Sequence, residues 1–376
     1  MSKFEDLVPD YIRKLPGYVP GKPIKQAELE SGTECIKMAS NENPFGPSPK
    51  ALQAMHEAAG EANFYPDHEL TELRLRLAEL NQVDINQVTV SNGSTAFLNI
   101  IARALLRPGL NAVTSERSFI VYPIATGATG ADFITVPMKD HTFDLEAIAA
   151  RVNADTRIVF IANPNNPTGT MVDAKAIDRF LDRLPDHVVT VLDEAYCDFA
   201  TDFARERGIE YSHSLDYVRE GRSVVVLRTF SKAHGLAGAR VGYGFASERM
   251  ITYFVRLQMA FAVSGMAEAA ALAALEDEAH IRRTVENNRA GAKWLLEKFR
   301  DLGILAVPTS ANFIYFEVDD AASVAKKVQA GGVIIRPLTG GWGCPNALRV
   351  TIGTPEQNER FILALAKATE RASVGR

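Results

Sequence analysis

Three clusters of polar residues, each directly after an apolar stretch, contain the side chains in this sequence best suited to chemistry. They read NPNNPTG at Asn163–Gly169, DEAY at Asp193–Tyr196 and TFSK at Thr229–Lys232. Amide, carboxylate, hydroxyl and amine groups are the ones that orient ligands and exchange protons. Singly, each cluster also has an ordinary explanation, because Asn-Pro sequences form turns and an aspartate caps helices. Their joint placement is what favours a functional site.

The stretches before these clusters are predicted to be strands of one parallel sheet. Ile158–Ala162, Val188–Leu192 and Val224–Leu227 are short, rich in β-branched residues and apolar at both alternating positions, which is typical of strands buried on both faces. Helix-like segments lie between them, so the predicted fold class is α/β, with a mostly parallel central sheet and helices on both faces. Parallel strands end at one edge, and ligands bind there, so the three clusters should converge on one crevice.

An anionic group is expected in that crevice. Thr229, Ser231 and Arg240 surround Lys232, and the sequence SNGST at Ser91–Thr95 opens a predicted helix. A helix N-terminus with free amides and hydroxyls suits a phosphate. The formal net charge of -5 gives no overall reason to bind nucleic acid or an anionic membrane. The predicted ligand is therefore a small molecule.

The remaining pattern predicts two domains and an arm. Residues 1–40 are rich in turn formers and are predicted to be an N-terminal arm. Leucines at 70, 73, 77 and 80 predict a surface helix. A long helical region is predicted from Ser247 to Leu302, followed by short strands at Phe313–Val318, Val333–Ile335 and Leu348–Ile352. The predicted division is a large ligand-binding domain over 41–280 and a smaller C-terminal α/β domain over 281–376.

Several classes of protein are disfavoured by the sequence. Three dispersed cysteines suggest neither a disulfide framework nor a thiolate metal site, and they point to the reducing cytoplasm. No metal site is predicted, since the histidines show no HExxH spacing. The first residues lack the apolar stretch of a secretory signal, and no run is long enough to span a bilayer. A nucleotide-binding dehydrogenase is disfavoured because neither GxGxxG after an early strand nor GK[ST] occurs.

The segment TFSKAHGLAGARVGY at Thr229–Tyr243 resembles the cofactor-lysine signature of the fold-type I, class I/II aminotransferases. The resemblance covers nearly the whole chain and is strongest to the histidinol-phosphate aminotransferase branch. It implies a fold-type I transferase whose cofactor is pyridoxal 5'-phosphate. It also implies that Lys232 carries this cofactor as a Schiff base and then shuttles protons.

The resemblance assigns further residues to the cofactor. Asp193 matches the partner of the pyridine nitrogen, and Asn166 and Tyr196 match residues that hydrogen-bond the phenolic oxygen. Phe119 corresponds to the aromatic residue that stacks on the pyridine ring. Tyr65 matches a tyrosine that reaches the cofactor phosphate of a neighbouring subunit, which implies a homodimer with shared active sites. The residues implied to hold the cofactor phosphate within one subunit are Gly93, Ser94, Thr95, Thr229, Ser231 and Arg240.

Two arginines and two residues near the N-terminus complete the implied substrate site. Bidentate guanidinium groups suit a carboxylate or a phosphate, and Arg336 and Arg349 match such positions. Tyr18 and Asn43 complete the pattern of the branch. The implied reaction exchanges an amino group between L-histidinol phosphate and 2-oxoglutarate, giving imidazole acetol phosphate and glutamate, in histidine biosynthesis. The small-molecule amino donor and the 2-oxo acid would share one pocket.

The sequence departs from the branch in three places and leaves alternatives open. The turn NGSTA replaces a usual acidic pair, His234 replaces an aromatic residue, and Trp342 stands where tyrosine is frequent. An aromatic amino-acid aminotransferase is the nearest alternative, because its pocket also needs aromatic walls and an arginine. A pyridoxal-phosphate-dependent phosphoamino-acid decarboxylase is a second alternative. A non-catalytic module that senses the cofactor is a third, which the presence of Lys232 and Asp193 disfavours.

Overall fold

The structure is a computed structural model that describes residues 4–17 and 21–369. Its strands are Ile36–Lys37 (β1), Val88–Ser91 (β2), Asn111–Ser115 (β3), Asp132–Val136 (β4), Thr156–Ala162 (β5), Val189–Asp193 (β6), Val224–Thr229 (β7), Gly242–Ala246 (β8), Leu305–Ala306 (β9), Phe313–Glu317 (β10), Val333–Ile334 (β11), Arg336–Pro337 (β12) and Ala347–Thr351 (β13). Its α-helices are Asp10–Arg13 (α1), Ile24–Ser31 (α2), Pro49–Ala58 (α3), Thr71–Asn81 (α4), Ser94–Leu105 (α5), Val121–Gly127 (α6), Leu145–Arg151 (α7), Ala174–Leu181 (α8), Cys197–Arg207 (α9), Ser214–Arg219 (α10), Glu248–Phe254 (α11), Gly265–Leu275 (α12), Glu278–Asp301 (α13), Ala321–Ala330 (α14) and Pro355–Thr369 (α15). Short 3₁₀ turns span Phe4–Leu7, Ala59–Glu61, Ile85–Gln87 and Val255–Leu257.

A seven-stranded sheet forms the centre of the molecule. Its strand order is β2-β8-β7-β6-β5-β3-β4, with parallel pairing from β7 through β4 and with β8 antiparallel to both of its neighbours. The three apolar stretches singled out in the sequence are β5, β6 and β7, and they lie side by side. Most of their residues are buried, as strands covered by helices on both faces require. The predicted α/β class is confirmed.

A second, smaller sheet has the order β12-β13-β10-β9 and is antiparallel throughout. Its core contains Phe299, Phe316 and Phe361, which come from α13, β10 and α15 and contact one another. The short strand β1 pairs in parallel with β11, so Ile36 and Lys37 of the predicted arm join the C-terminal part of the chain. The domain boundaries proposed from the sequence remain a prediction.

Two helical predictions differ from the structure in detail. The leucine-patterned helix is α4, in which Leu73 and Leu77 are buried, but Leu80 is about half exposed and Leu70 precedes the helix at φ +52°. The predicted long helical region is divided into α11, α12 and α13. The side chain of Ser264 caps α12 by accepting a hydrogen bond from the backbone amide of Ala267, so a new helix begins there.

Three further observations concern the residues that the structure describes. None of their helices combines the length and the apolar character needed to cross a bilayer. No group of three His, Cys, Asp or Glu side chains among them could hold a metal ion. All three cysteines are free, and burial raises the pKa of the Cys197 and Cys344 thiols. These two thiols are therefore protonated at neutral pH and poorly nucleophilic.

Candidate active site

One cavity lies where β5, β6 and β7 end, as the strand order requires. Its volume is about 200 Å³. Residues from all three polar clusters line it, together with residues from the start of α5 and from the smaller sheet. The sequence-predicted residues that line it are Ser94, Thr95, Phe119, Asn166, Asp193, Tyr196, Thr229, Ser231, Lys232, Arg240, Arg336 and Arg349.

Lys232 supplies an amine inside this cavity, just beyond the end of β7. Its Nζ donates a hydrogen bond to the carbonyl oxygen of Ser40 at 3.3 Å and lies 5.7 Å from the ring centroid of Tyr196. Burial is the main cause that lowers the pKa of Lys232 to about 8, and the positive charge of Arg349 adds to it. A large fraction of this amine is therefore unprotonated in mildly alkaline solution, and only the unprotonated amine can attack a carbonyl carbon.

Asp193 places a carboxylate at the end of β6, where it is almost fully buried. Burial raises the pKa of Asp193 to about 6, although a hydrogen bond from the Tyr122 hydroxyl at 3.0 Å opposes that rise. Such a carboxylate is held in place to pair with a protonated nitrogen of a ligand. Pairing would stabilise the ionised carboxylate strongly, because burial leaves it with little hydration.

Tyr122 also belongs to this site, although the sequence analysis did not single it out. It is fully buried on α6, and its ring stacks on Phe160 of β5 at 4.5 Å between centroids. It also contacts Phe119 edge-to-face at 5.6 Å. The sequence could have indicated Tyr122 through its position three residues after Phe119, because this spacing brings side chains together around a helical turn. Tyr122 therefore joins the cavity's aromatic wall to the buried carboxylate of Asp193.

The start of α5 forms a cradle whose groups suit a phosphate. Gly93 caps the helix at φ +80°, and an added Cβ there would lie 2.5 Å from a guanidinium nitrogen of Arg240. An added Cβ at Gly242 of β8 would lie 2.4 Å from the backbone nitrogen of Ser94. Both glycines thus keep the helix N-terminus and the Arg240 guanidinium close together. Free amides and a cation at one point attract an anion.

Tyr196 and Asn166 face the same cavity through other contacts. The Tyr196 hydroxyl accepts a hydrogen bond from Asn41 Nδ2 at 2.8 Å. Asn166 Oδ1 accepts a hydrogen bond from Arg349, which leaves the amide nitrogen of Asn166 as its donor group. Asn41 was not singled out in the sequence. It has φ +57° and is buried, features that only the folded chain reveals.

The two arginines are direct cross-strand neighbours, because Arg336 of β12 pairs with Arg349 of β13. Arg349 is 5% exposed and donates to the carbonyl oxygen of Ala39 at 2.9 Å. The guanidinium carbons of Arg336 and Arg349 lie 5.4 Å and 6.0 Å from the ring centroid of Trp342. Like charges directly opposite each other are unfavourable. An anionic ligand between them would remove that repulsion.

Two predicted residues, Tyr65 and Asn43, lie outside this cavity. Tyr65 is 82% exposed and stacks on Phe261 at 4.6 Å, on a different surface of the chain. Asn43 is buried, and its Nδ2 donates to the carbonyl oxygen of Ala233 at 2.8 Å, so it holds the segment that follows Lys232. Tyr18 lies outside the described residues. The roles assigned to these three residues, as well as to those in the cavity, remain predictions.

The groups around the cavity fit pyridoxal 5'-phosphate. The helix cradle suits its phosphate, and Phe119 offers an aromatic face for its ring. A buried carboxylate suits its ring nitrogen and a buried amine suits its aldehyde, and both are present in Asp193 and Lys232. The hydroxyls of Thr229 and Ser231 are hydrogen-bonded to each other at 3.0 Å and line the same cavity.

This fold and this set of side chains define an aminotransferase, and the chain belongs to the family of class I and II aminotransferases, whose model matches residues 33–365. It is 46% identical to histidinol-phosphate aminotransferase 2 of Pseudomonas fluorescens strain Pf0-1 over 364 residues, 96% of each chain. It is 42% identical to the histidinol-phosphate aminotransferase of Akkermansia muciniphila, over 96% of this chain and 98% of that relative.

A solved structure is similar over the same extent. The crystal structure of histidinol-phosphate aminotransferase from Sinorhizobium meliloti, in complex with pyridoxal-5'-phosphate, superimposes with a TM-score of 0.85. The sequence identity is 27%, and 96% of each chain is covered. The predicted family and the fold-type I architecture are confirmed.

Proposed function

We propose that this chain transfers an amino group between L-histidinol phosphate and 2-oxoglutarate, giving imidazole acetol phosphate and glutamate, as a step of histidine biosynthesis. The observation that carries the proposal is the pair Arg336 and Arg349, which face one another across two strands beside the cavity that contains Lys232. The names of relatives at 42% and 46% identity support the same substrate.

The arginine pair favours a substrate with a doubly charged group or two separate anionic groups. A phosphate ester can accept hydrogen bonds from two guanidinium groups, and 2-oxoglutarate has two carboxylates. Phenylalanine has one carboxylate and would leave one guanidinium without an anionic partner from the substrate. Phenylalanine can therefore form fewer charge-assisted hydrogen bonds with the pair than a phosphate ester can, so the pocket should discriminate against it.

Pyridoxal 5'-phosphate, the proposed cofactor, supplies the electron sink that makes a carbon–hydrogen bond beside the amino nitrogen acidic. The residues that would hold it are those of the helix cradle for its phosphate, Phe119 for its ring and Asp193 for its ring nitrogen. The Lys232 amine would hold it covalently between turnovers.

Lys232 would also move the proton. Once the substrate amine has displaced it, its Nζ takes the proton from the carbon that bears the amino group. A pKa near 8 suits this work, because the amine is then able both to accept and to release a proton near neutral pH. Ser40 and Tyr196, which contact this side chain, would keep Nζ inside the cavity.

The proposal includes a homodimer. Tyr65 is one of several large apolar side chains exposed on the same part of the surface, where Phe64 is 72% and Phe261 is 44% exposed. Exposed apolar clusters of this kind are typical of protein interfaces. A second copy of the chain would cover them and would receive Tyr65 at the rim of its own active site.

The proposed location is the cytoplasm. Histidine biosynthesis consumes and produces small metabolites, and the three cysteines are all free, as is usual in a reducing compartment.

The test is a side-by-side measurement of kcat/KM for L-histidinol phosphate and L-phenylalanine, each with 2-oxoglutarate. We expect a strong preference for the phosphate ester, and no transamination by a Lys232→Ala protein, which serves as the blank. Preference for phenylalanine would instead place the enzyme in aromatic amino-acid metabolism. Release of carbon dioxide without consumption of 2-oxoglutarate would indicate a decarboxylase. Inactivity toward both donors would refute the substrate assignment.

A further inference from the structure

Trp342 connects two parts of the active site that come from different sheets. It lies in the loop between β12 and β13 of the smaller sheet. Its indole Nε1 donates a hydrogen bond to the carbonyl oxygen of Ser118 at 2.8 Å. Ser118 follows β3 of the central sheet and directly precedes Phe119. One side chain thus ties the loop beside the arginines to the aromatic wall of the cavity.

The same indole ring contacts both arginines. The guanidinium carbon of Arg336 is 5.4 Å and that of Arg349 is 6.0 Å from its centroid. The electron-rich face of an aromatic ring attracts a cation. Because the two arginines are directly opposite each other, a ring that attracts both offsets part of their mutual repulsion.

The backbone around Trp342 leaves this side chain little freedom to move away. An added Cβ at Gly341 would lie 2.2 Å from Ile120 Cδ1, so the loop is in close contact with the segment after Phe119. The loop also closes on itself, because the amide of Cys344 donates to the carbonyl oxygen of Leu338 at 3.0 Å. The position of the indole is therefore set by contacts on both sides of the cavity.

We propose that Trp342 is a positioning residue that determines substrate specificity by holding Arg336 and Arg349 in the arrangement that binds one phosphate ester or two carboxylates. The identity of the phosphate ester rests on the proposed function above, whereas the role of the indole does not. Trp342 acts through the arginines, so its replacement should weaken binding of doubly anionic substrates more than it slows turnover.

The kinetic test compares Trp342→Leu and Trp342→Phe with the unmodified holoenzyme. Trp342→Leu removes both aromatic contacts, and we expect kcat/KM for L-histidinol phosphate to fall about tenfold, mainly through KM. The value for L-phenylalanine should change little, since that donor has one carboxylate. Trp342→Phe loses the hydrogen bond to Ser118 but keeps an aromatic face between the same loop contacts, and it should restore most of the preference. Trp294→Phe, on α13 against the smaller core, is the matched control and should behave like the unmodified enzyme.

Equal losses for both donors in Trp342→Leu, or a Trp342→Phe protein as impaired as Trp342→Leu, would overturn the inference. The first outcome would mean that the loop is only structural. The second would mean that the aromatic face does not hold the arginines.

A second readout does not depend on turnover. The chain has two tryptophans, so Trp342 is the sole indole emitter in a Trp294→Phe holoenzyme. We expect inorganic phosphate, titrated at constant ionic strength, to change its emission saturably, and the change to be lost after Arg336→Gln. A flat titration in an enzyme that converts L-histidinol phosphate would overturn the inference but not the proposed function. A saturable signal in an enzyme inactive toward that ester would overturn the proposed function but not the inference.

Discussion

Replacing Asp193 by asparagine should stabilise the cofactor-free protein at neutral pH while it removes activity. Burial raises the pKa of this carboxyl from 3.8 to about 6 in the folded chain. The folded state therefore keeps a proton that the unfolded state has already lost. The protonated carboxyl therefore contributes its full stability to the folded state below pH 3.8, and this contribution is lost as the pH rises through about 6. One pH unit of displacement corresponds to about 1.4 kcal/mol, so the ionised carboxylate costs the folded protein roughly 3 kcal/mol at pH 7.5.

Asparagine has no proton to lose and nearly the same shape. Its carboxamide oxygen can accept the hydrogen bond that the backbone amide of Ala195 donates to Asp193 at 3.3 Å. The Tyr122 hydroxyl, which now donates, can rotate and accept from the new amide. The free energy of unfolding of Asp193→Asn should therefore exceed that of the unmodified chain by up to roughly 1.5 kcal/mol at pH 5 and 3 kcal/mol at pH 7.5.

The assay is urea unfolding of the cofactor-free proteins between pH 5 and pH 8, with Asp186→Asn as the control. Asp186 is exposed, so its replacement removes one negative charge without changing a buried group. Addition of pyridoxal 5'-phosphate should reverse the order of stability, because only the aspartate can pair with a protonated ring nitrogen. A difference that does not vary with pH, or a less stable Asp193→Asn protein at pH 7.5, would refute the reasoning.

Two further substitutions test the surroundings of this carboxylate. Tyr122→Phe removes a hydrogen bond to a buried charge, worth about 1.5–3 kcal/mol, so the pKa of Asp193 should rise further and cofactor affinity at pH 7.5 should fall at least about tenfold in an absorbance titration. Unchanged affinity at both pH 6 and pH 8 would contradict that expectation. Glu194→Gln breaks the buried pair in which Arg228 donates to Glu194 at 2.9 Å and 3.0 Å, and it should lower the free energy of unfolding by roughly 3–5 kcal/mol. A loss below about 1 kcal/mol in urea would show that the pair contributes little.

The sequence by itself was sufficient to predict the α/β class and the location of the site. Three apolar stretches, each followed by polar residues, predicted parallel strands whose ends converge, and β5, β6 and β7 lie side by side with one cavity at their ends. Strand periodicity is a local property, and the rule that ligands bind at strand ends converts it into a position in space. The signature at Thr229–Tyr243 identified the family, which the family comparison confirmed.

Only the tertiary structure decided how the predicted residues are supported. Tyr122 donates to Asp193 across 71 positions of sequence, and Asn41 donates to Tyr196 across 155. Contacts between residues so far apart leave no periodic signal in the chain. The helical region after Ser247 is a different case, because the serine that caps α12 contacts a residue only three positions away and is therefore a local signal.

The arginine pair shows most clearly what the sequence determines and what only the tertiary structure decides. The sequence indicated two guanidinium groups thirteen positions apart, each suited to an anion. That Arg336 and Arg349 are direct partners, and that one indole contacts both, follows from the register of β12 against β13. A shift of one residue would turn one of these side chains to the opposite face of the sheet. Residue types determined which chemistry is available, and strand register determined which groups act together.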